Sequence, residues 1–92
     1  MASRYEMIGA IVSHIERSAL VLALHRRDSM GFGELVQSAN AKLATLAKDP
    51  LPPKAFEGHL KALQGVHLVT HNSETYRLTD IGSKIVEELI HM

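Results

Sequence analysis

All three prolines of this chain lie close together, at Pro50, Pro52 and Pro53. Proline fixes its own φ angle and has no N–H to donate, so a regular helix or strand cannot continue through this segment. Proline is well suited to the first turn of a helix, where the N–H has no helical partner. We therefore expect one helix to end near Ala47 and another to begin near Pro53.

The segment that begins at Pro53 has the apolar spacing of a helix and continues to about Gln64. Phe56, Leu60 and Leu63 fall within one narrow arc at roughly 100° per residue, and we expect them to face the core. Gly65 is a suitable residue to end this helix.

Two short strands and a last helix are predicted after Gly65. Val66–Thr70 and Thr75–Leu78 alternate as strands do, with Tyr76 and Leu78 inward and Arg77 outward, and polar residues between them suit a tight turn. Thr79 is expected to cap the final helix, with Asp80 in its first turn. The apolar stripe of that helix comprises Ile81, Ile85, Leu89 and Met92, widened by Val86 and Ile90.

Helices are also predicted before the prolines. Residues 3–27 form one long helix or two helices with a bend within residues 13–18, and the chain is apolar on all sides from Ala19 to Leu24. A second helix is expected from Phe32 to Ala47. The apolar stripe of the first segment is Tyr5, Ile8, Val12, Ile15 and Ala19, and that of the second is Leu35, Ala39, Leu43 and Leu46. The first stripe is expected to pack either on its own domain or on a partner subunit.

Composition restricts the class of protein. The chain has 92 residues, 46% of them hydrophobic, with no cysteine and a formal net charge of zero. This predicts one domain without disulfides or thiolate metal sites. The absence of a long apolar run or a signal-peptide pattern leads us to expect a soluble cytoplasmic protein without membrane association.

The order of helix, strand, turn, strand and capped helix ends in Tyr76-Arg77-Leu78-Thr79-Asp80 followed two residues later by Gly82. This pattern resembles the winged helix-turn-helix regulators of the PadR, MarR and ArsR type. Gly31-Phe32-Gly33-Glu34-Leu35 and Leu51-Pro52-Pro53 stand where PadR relatives have comparable segments. The resemblance implies a mainly α fold with a small β-hairpin (α+β), with an N-terminal extension over residues 1–16, a winged-helix core over 17–78 and a C-terminal helix over 79–92.

The same resemblance implies a dimeric regulator of transcription that binds double-stranded DNA. The helix after the prolines would enter the major groove, its lysines would contact phosphates, and the hairpin would contact the flanking backbone. The positions implied to contact DNA are Lys54, Glu57, Gly58, Lys61, Gln64, His71, Asn72, Ser73 and Arg77, with Arg26, Arg27 and Lys42 as further candidates. The terminal helices would form a homodimer through Tyr5, Ile8, Val12, Ile85, Leu89 and Met92.

A second hypothesis keeps the fold and replaces DNA with a protein partner. The zero net charge, and Glu57 with Gly58 on the contact face, favour such an interaction module. A third is a repressor that responds to a small molecule, which would need a cavity between the terminal helices; the sequence does not decide whether an effector exists.

Other chemistry is not expected. The six histidines are scattered along the chain without a recognised ligand spacing, so we predict neither a metal site nor a cofactor. His59 is predicted to be a packed, hydrogen-bonded residue. Because the chain lacks a cysteine nucleophile, a phosphate-binding glycine loop and a serine elbow, we expect a protein that is not an enzyme.

Overall fold

The computed structural model describes residues 2–91. Five helices and three short strands follow one another as α1 (Arg4–Val12), α2 (Ile15–Arg27), β1 (Ser29–Gly31), α3 (Phe32–Thr45), α4 (Pro53–Gly65), β2 (Val69–Asn72), β3 (Thr75–Leu78) and α5 (Asp80–Ile90). The protein is therefore mainly helical with a small antiparallel sheet, as the α+β prediction stated.

The N-terminal segment forms two helices, of which α1 begins at a capping box. The Ser3 hydroxyl accepts a hydrogen bond from the Glu6 N–H, and the Glu6 carboxylate accepts one from the Ser3 N–H. α1 and α2 meet at an angle of 107°. The bend turns Met7 and Ile11 toward the core, while Tyr5 and Val12 remain exposed. Tyr5, Val12 and Ile15 of the predicted stripe are therefore not covered by their own domain, and the alternative that a partner subunit covers them stays a prediction.

α2 is the central helix. It packs against α1, α3, α4 and α5, which explains why its apolar residues surround it. Its fully enclosed side chains are Ala19, Leu20, Val21 and Leu24.

The sheet has three strands in the order β1–β3–β2, all antiparallel. Sequence analysis missed β1, whose Met30 pairs with Tyr76 of β3 and is buried. The predicted start of β2 at Val66 was also too early. α4 ends in a turn in which the Leu68 N–H donates to the Leu63 carbonyl, and His67 takes a left-handed φ of 63°, so the strand starts only at Val69.

α3 and α4 bury the faces expected of them. Phe56, Leu60 and Leu63 are all at most 1% exposed, which confirms the predicted inner face of α4. Leu35, Ala39 and Leu43 are buried on α3, but α3 ends at Thr45, and Leu46 lies beyond it with half of its surface exposed.

α5 begins as predicted, since the Thr79 hydroxyl accepts a hydrogen bond from the Gly82 N–H. Its inner face is confirmed in part: Ile85 and Val86 of the predicted stripe are buried, whereas Ile81 and Ile90, also predicted to belong to it, are each 45% exposed. Gly82 lies so close to the Leu68 carbonyl that a Cβ there would clash with the oxygen atom, and this contact fixes which side of α5 faces inward.

One hydrophobic core collects residues from all the helices. It includes Met7 and Ile11 of α1 as well as Ile85 and Val86 of α5. The segments predicted as N-terminal and C-terminal additions thus pack on the same core as the helices between them. The Arg4 guanidinium and the Glu88 carboxylate add a surface ion pair that joins α1 to α5.

Candidate nucleic-acid interface

The outer face of α4 carries both predicted lysines. Lys54 and Lys61 are exposed, and because they lie seven residues apart they project from nearly the same side of the helix, about 10 Å apart along its axis. Their position follows from the burial of Phe56, Leu60 and Leu63 on the opposite side. Two ammonium groups at this spacing can neutralise phosphates along a polyanion.

Gly58 and Glu57 lie between the lysines. Gly58 is exposed, and a Cβ built there would meet no atom within 4 Å, so the α4 backbone is open to close approach by a partner. Glu57 is also exposed and carries a negative charge into the same face. Gln64, the one predicted base reader with a side-chain amide, is half-buried at the end of α4.

The hairpin of β2 and β3 is held in position by its aromatic residues. The His71 ring stacks on the Tyr76 ring, with ring centroids 4.0 Å apart and planes 3° from parallel. The Tyr76 ring also packs near the Phe32 ring, with their centroids 6.3 Å apart. Burial raises the pKa of the Tyr76 phenol, and the negative charge of Glu57 raises it further. Tyr76 therefore joins the two strands of the hairpin to the start of α3, while β2 packs against α4.

The end of the hairpin presents only exposed side chains. Asn72 closes β2, and Ser73 and Glu74 form the turn. The predicted contact residues His71, Asn72 and Ser73 are thus all accessible to a partner. Glu74, absent from the prediction, adds a negative charge at the same end.

Arg77 lies on the other face of the sheet from Tyr76. It is exposed as predicted, and it lines a groove of about 440 Å³ together with Asp28 and Asp80. Alternate residues of a strand point to opposite faces of the sheet. Arg77 therefore does not share the face of Tyr76, and the structure does not group it with the lysines of α4. This agrees with the predicted alternation, in which Tyr76 points inward and Arg77 outward.

The three further basic candidates converge at a separate place. Arg26, Arg27 and Lys42 line a groove of about 500 Å³ between α2 and α3, whose floor is formed by alanine and leucine side chains. The Arg27 guanidinium also lies 3.7 Å from the Glu34 carboxylate, which lowers the net charge of this groove.

The five predicted dimerisation residues that the structure describes divide into three groups. Tyr5 is 85% exposed and Val12 is 62% exposed, on the outer face of α1. Ile8 and Leu89 are half-buried and pack on the core of their own chain. Ile85 is 4% exposed and belongs to that core, so its assignment to a dimer contact was wrong, and Met92 lies outside the described residues.

His59 is a packed residue, as predicted. Its Nδ1 atom accepts a hydrogen bond of 3.1 Å from Nε of Arg17, and its ring lies 5.1 Å from the ring of His14. Burial lowers the pKa of His59; Glu16 opposes this effect, whereas Arg17 and His14 add to it.

Sequence reasoning missed one cluster. His14, Glu16 and His59 place one ligand atom each within 4.8 Å of one another. Forty-five residues separate the two histidines, and only the packing of α4 on the junction of α1 and α2 brings them together, so no local spacing could have indicated the cluster.

Comparison of the chain with protein-family models, with curated proteins and with solved structures gave no match. Among residues 2–91, no single helix has both the length and the apolar composition needed to cross a membrane. α1 and α2 have that length and composition only when they are taken together across their bend of 107°.

Proposed function

We propose that this chain is a small DNA-binding transcriptional regulator of the winged helix-turn-helix class that acts as a homodimer in the cytoplasm. In this proposal α4 enters the major groove and the β2–β3 hairpin contacts the flanking backbone. The recognition helices of the two subunits would lie about one helical turn of DNA apart.

The observation that carries the proposal is the outer face of α4. Lys54 and Lys61 project from one side of a rigid helix whose other side is buried, and Gly58 between them leaves the backbone open. The hairpin follows α4 directly, and its strand β2 packs against α4. The order of α4, β2, β3 and α5 supports the proposal, because it is the order of helix, two strands and capped helix on which the resemblance rests.

The charges on the outer face of α4 determine how strongly we expect it to bind DNA and how that affinity depends on salt. Two lysines are opposed by Glu57, so attraction to phosphates is modest and falls steeply with salt concentration. The Glu57 carboxylate is repelled by a nearby phosphate, but it can accept a hydrogen bond from the amino group of cytosine. The proposal therefore assigns Glu57 to a base edge and the lysines to the backbone.

The homodimer would form through the outer face of α1. Tyr5 and Val12 lie on this face with Gly9, and Gly9 has open space around its Cα. Exposed apolar residues beside a glycine allow two helices to approach closely. Ile85 has no part in this interface because it is buried in its own chain.

The test is a binding titration of a fluorescent duplex of random sequence at low ionic strength. The proposal predicts a rise in anisotropy that saturates and is reversed by added salt. Absence of any complex at low salt, with protein whose circular dichroism shows the expected helix content, would contradict it.

A second candidate function is a protein-interaction module, which the same exposed apolar face of α1 favours. Here Tyr5 and Val12 would bind a different protein and the lysines of α4 would be inert. Substitution of both lysines would then leave the biological activity intact, whereas Tyr5→Glu with Val12→Glu would abolish it. Loss of activity in the lysine variant favours the DNA-binding proposal instead.

A further inference from the structure

The cluster of His14, Glu16 and His59 lies where the start of α2 meets the middle of α4. His14 is the residue before α2, and its side chain makes no capping hydrogen bond. Glu16 lies in the first turn of α2, and His59 projects from α4 at the edge of its buried face. Two imidazoles and one carboxylate thus converge from two elements that are both anchored in the core.

We propose that these three side chains bind one divalent cation, and that Zn²⁺ is the preferred ion. Two nitrogen ligands and one oxygen ligand, with a fourth position left to water, form a donor set that proteins use for zinc. Imidazole ligands also favour zinc over the hard cations magnesium and calcium. The site is independent of the DNA-binding proposal, since it uses none of the residues assigned to DNA.

The distances are compatible with this role after small side-chain movements. Zinc bonds of about 2.0–2.1 Å place neighbouring ligand atoms roughly 3.4 Å apart in a tetrahedral site. The ligand atoms of the cluster are separated by at most 4.8 Å before any ion is bound. His14 is exposed and the other two side chains are half-buried, so rotation about their side-chain bonds can close the gap.

Arg17 would compete with a cation for the imidazole ring of His59. Its Nε atom donates to His59 Nδ1 at 3.1 Å, and its Nη1 atom donates to the carbonyl of Ala10 at 3.3 Å. An imidazole nitrogen that accepts a hydrogen bond uses its lone pair, so the proton of neutral His59 then resides on Nε2. A cation that binds Nδ1 displaces Arg17 directly.

Binding through Nε2 has the same consequence. The proton would have to move to Nδ1, where it would face the N–H group of Arg17. Either geometry breaks the bond between Arg17 and His59, so the cation and Arg17 exclude each other on this ring. If the cluster binds a cation, a variant without the Arg17 guanidinium should bind that cation more tightly. Three side chains that meet only by packing would show no such gain.

The experiment is isothermal titration of the untagged chain with ZnCl₂ at neutral pH. The expected result is one site per chain, weakened at least tenfold by His14→Ala, Glu16→Gln or His59→Ala. The matched control is His25→Ala, because His25 lies 3.4 Å from Glu87 in a second histidine–carboxylate pair and should leave the affinity unchanged. His14→Ala keeps the test valid if His59→Ala fails to fold, since His14 is exposed.

Arg17→Met supplies the decisive variant, and we expect it to bind Zn²⁺ at least fivefold more tightly than the natural chain. Titration with Co²⁺ should give visible absorption bands that His14→Ala removes. Absence of Zn²⁺ binding to the natural chain, equal affinity in His14→Ala, or weaker binding by Arg17→Met would each overturn the proposal.

Discussion

The side-chain amide of Asn40 holds the backbone of Leu51 through two hydrogen bonds. The Asn40 Nδ2 atom donates to the Leu51 carbonyl at 3.0 Å, and the Leu51 N–H donates to Asn40 Oδ1 at 2.9 Å. Leu51 comes just before the prolines that open α4. One residue of α3 therefore fixes where the chain turns into the helix that carries Lys54 and Lys61.

Asn40→Ala removes both bonds and leaves the half-buried backbone groups of Leu51 without a partner. We expect the free energy of unfolding in urea to fall by about 1–3 kcal/mol. Gln37→Ala, an exposed change one turn earlier in α3, is the matched control and should alter stability by less than about 0.5 kcal/mol. Equal effects of the two substitutions would show that Asn40 does not anchor the linker.

Gly58→Ala separates stability from DNA binding. Because Gly58 is an exposed residue within a helix and has open space, alanine should stabilise the protein by roughly 0.5–1 kcal/mol. The added methyl group should hinder approach to the groove and raise the Kd for duplex DNA about tenfold, the equivalent of 1.4 kcal/mol. Gly33→Ala on α3 is the control, because Gly33 is also an exposed helical glycine with open space and is assigned neither to DNA nor to the homodimer; it should leave the duplex affinity unchanged. A Gly58→Ala variant that binds duplex as well as the natural chain would exclude close approach of the α4 backbone to DNA.

The pH dependence of stability follows from His59. Burial lowers the pKa of its imidazole below the usual 6.5, so between the two pKa values the unfolded chain binds more protons than the folded chain. This contribution to stability is complete above pH 6.5 and is lost as the pH falls through the folded pKa. Urea unfolding with a chelator present should therefore show a larger loss from pH 7.5 to 5.5 in the natural chain than in His59→Gln. Equal losses would mean that His59 is not the titrating group.

The oligomeric state tests the outer face of α1. Sedimentation equilibrium should give twice the chain mass of 10.1 kDa for the natural protein and the monomer mass for Tyr5→Glu with Val12→Glu. Leu46→Glu changes an apolar residue that is 49% exposed away from α1, and it should remain dimeric. A natural protein that is monomeric at every concentration, or a dimer that survives the double substitution, would contradict an α1 interface.

The sequence was most informative where a local rule decides the structure. Proline and the spacing of Phe56, Leu60 and Leu63 predicted the position and inner face of α4, and Thr79 predicted the start of α5, because each depends on neighbours within a few residues. The outward position of both lysines followed from the same spacing.

The features that sequence reasoning missed depend on contacts between distant parts of the chain. β1 has only three residues and exists because Met30 pairs with Tyr76, which no local pattern reveals. The inward position of Met7 and Ile11 was not predicted because it depends on how α1 packs against α2, α4 and α5, which the expected bend within residues 13–18 does not determine. The neighbours of His59 depend on how α4 packs against the start of α2.

The most direct test of the DNA-binding account is the salt dependence of duplex affinity in Lys54→Ala with Lys61→Ala. A matched variant, Lys48→Ala with Lys84→Ala, removes the same charge from exposed positions in the linker before α4 and on α5, neither of which is assigned to DNA or to the homodimer. If the two α4 lysines of each subunit contact phosphates, the homodimer loses four such contacts, so the slope of log K against log salt should be smaller in magnitude by about 3.6 in the α4 variant and unchanged in the control. Equal slopes in the two variants, or a natural chain that forms no complex at low salt, would contradict the account.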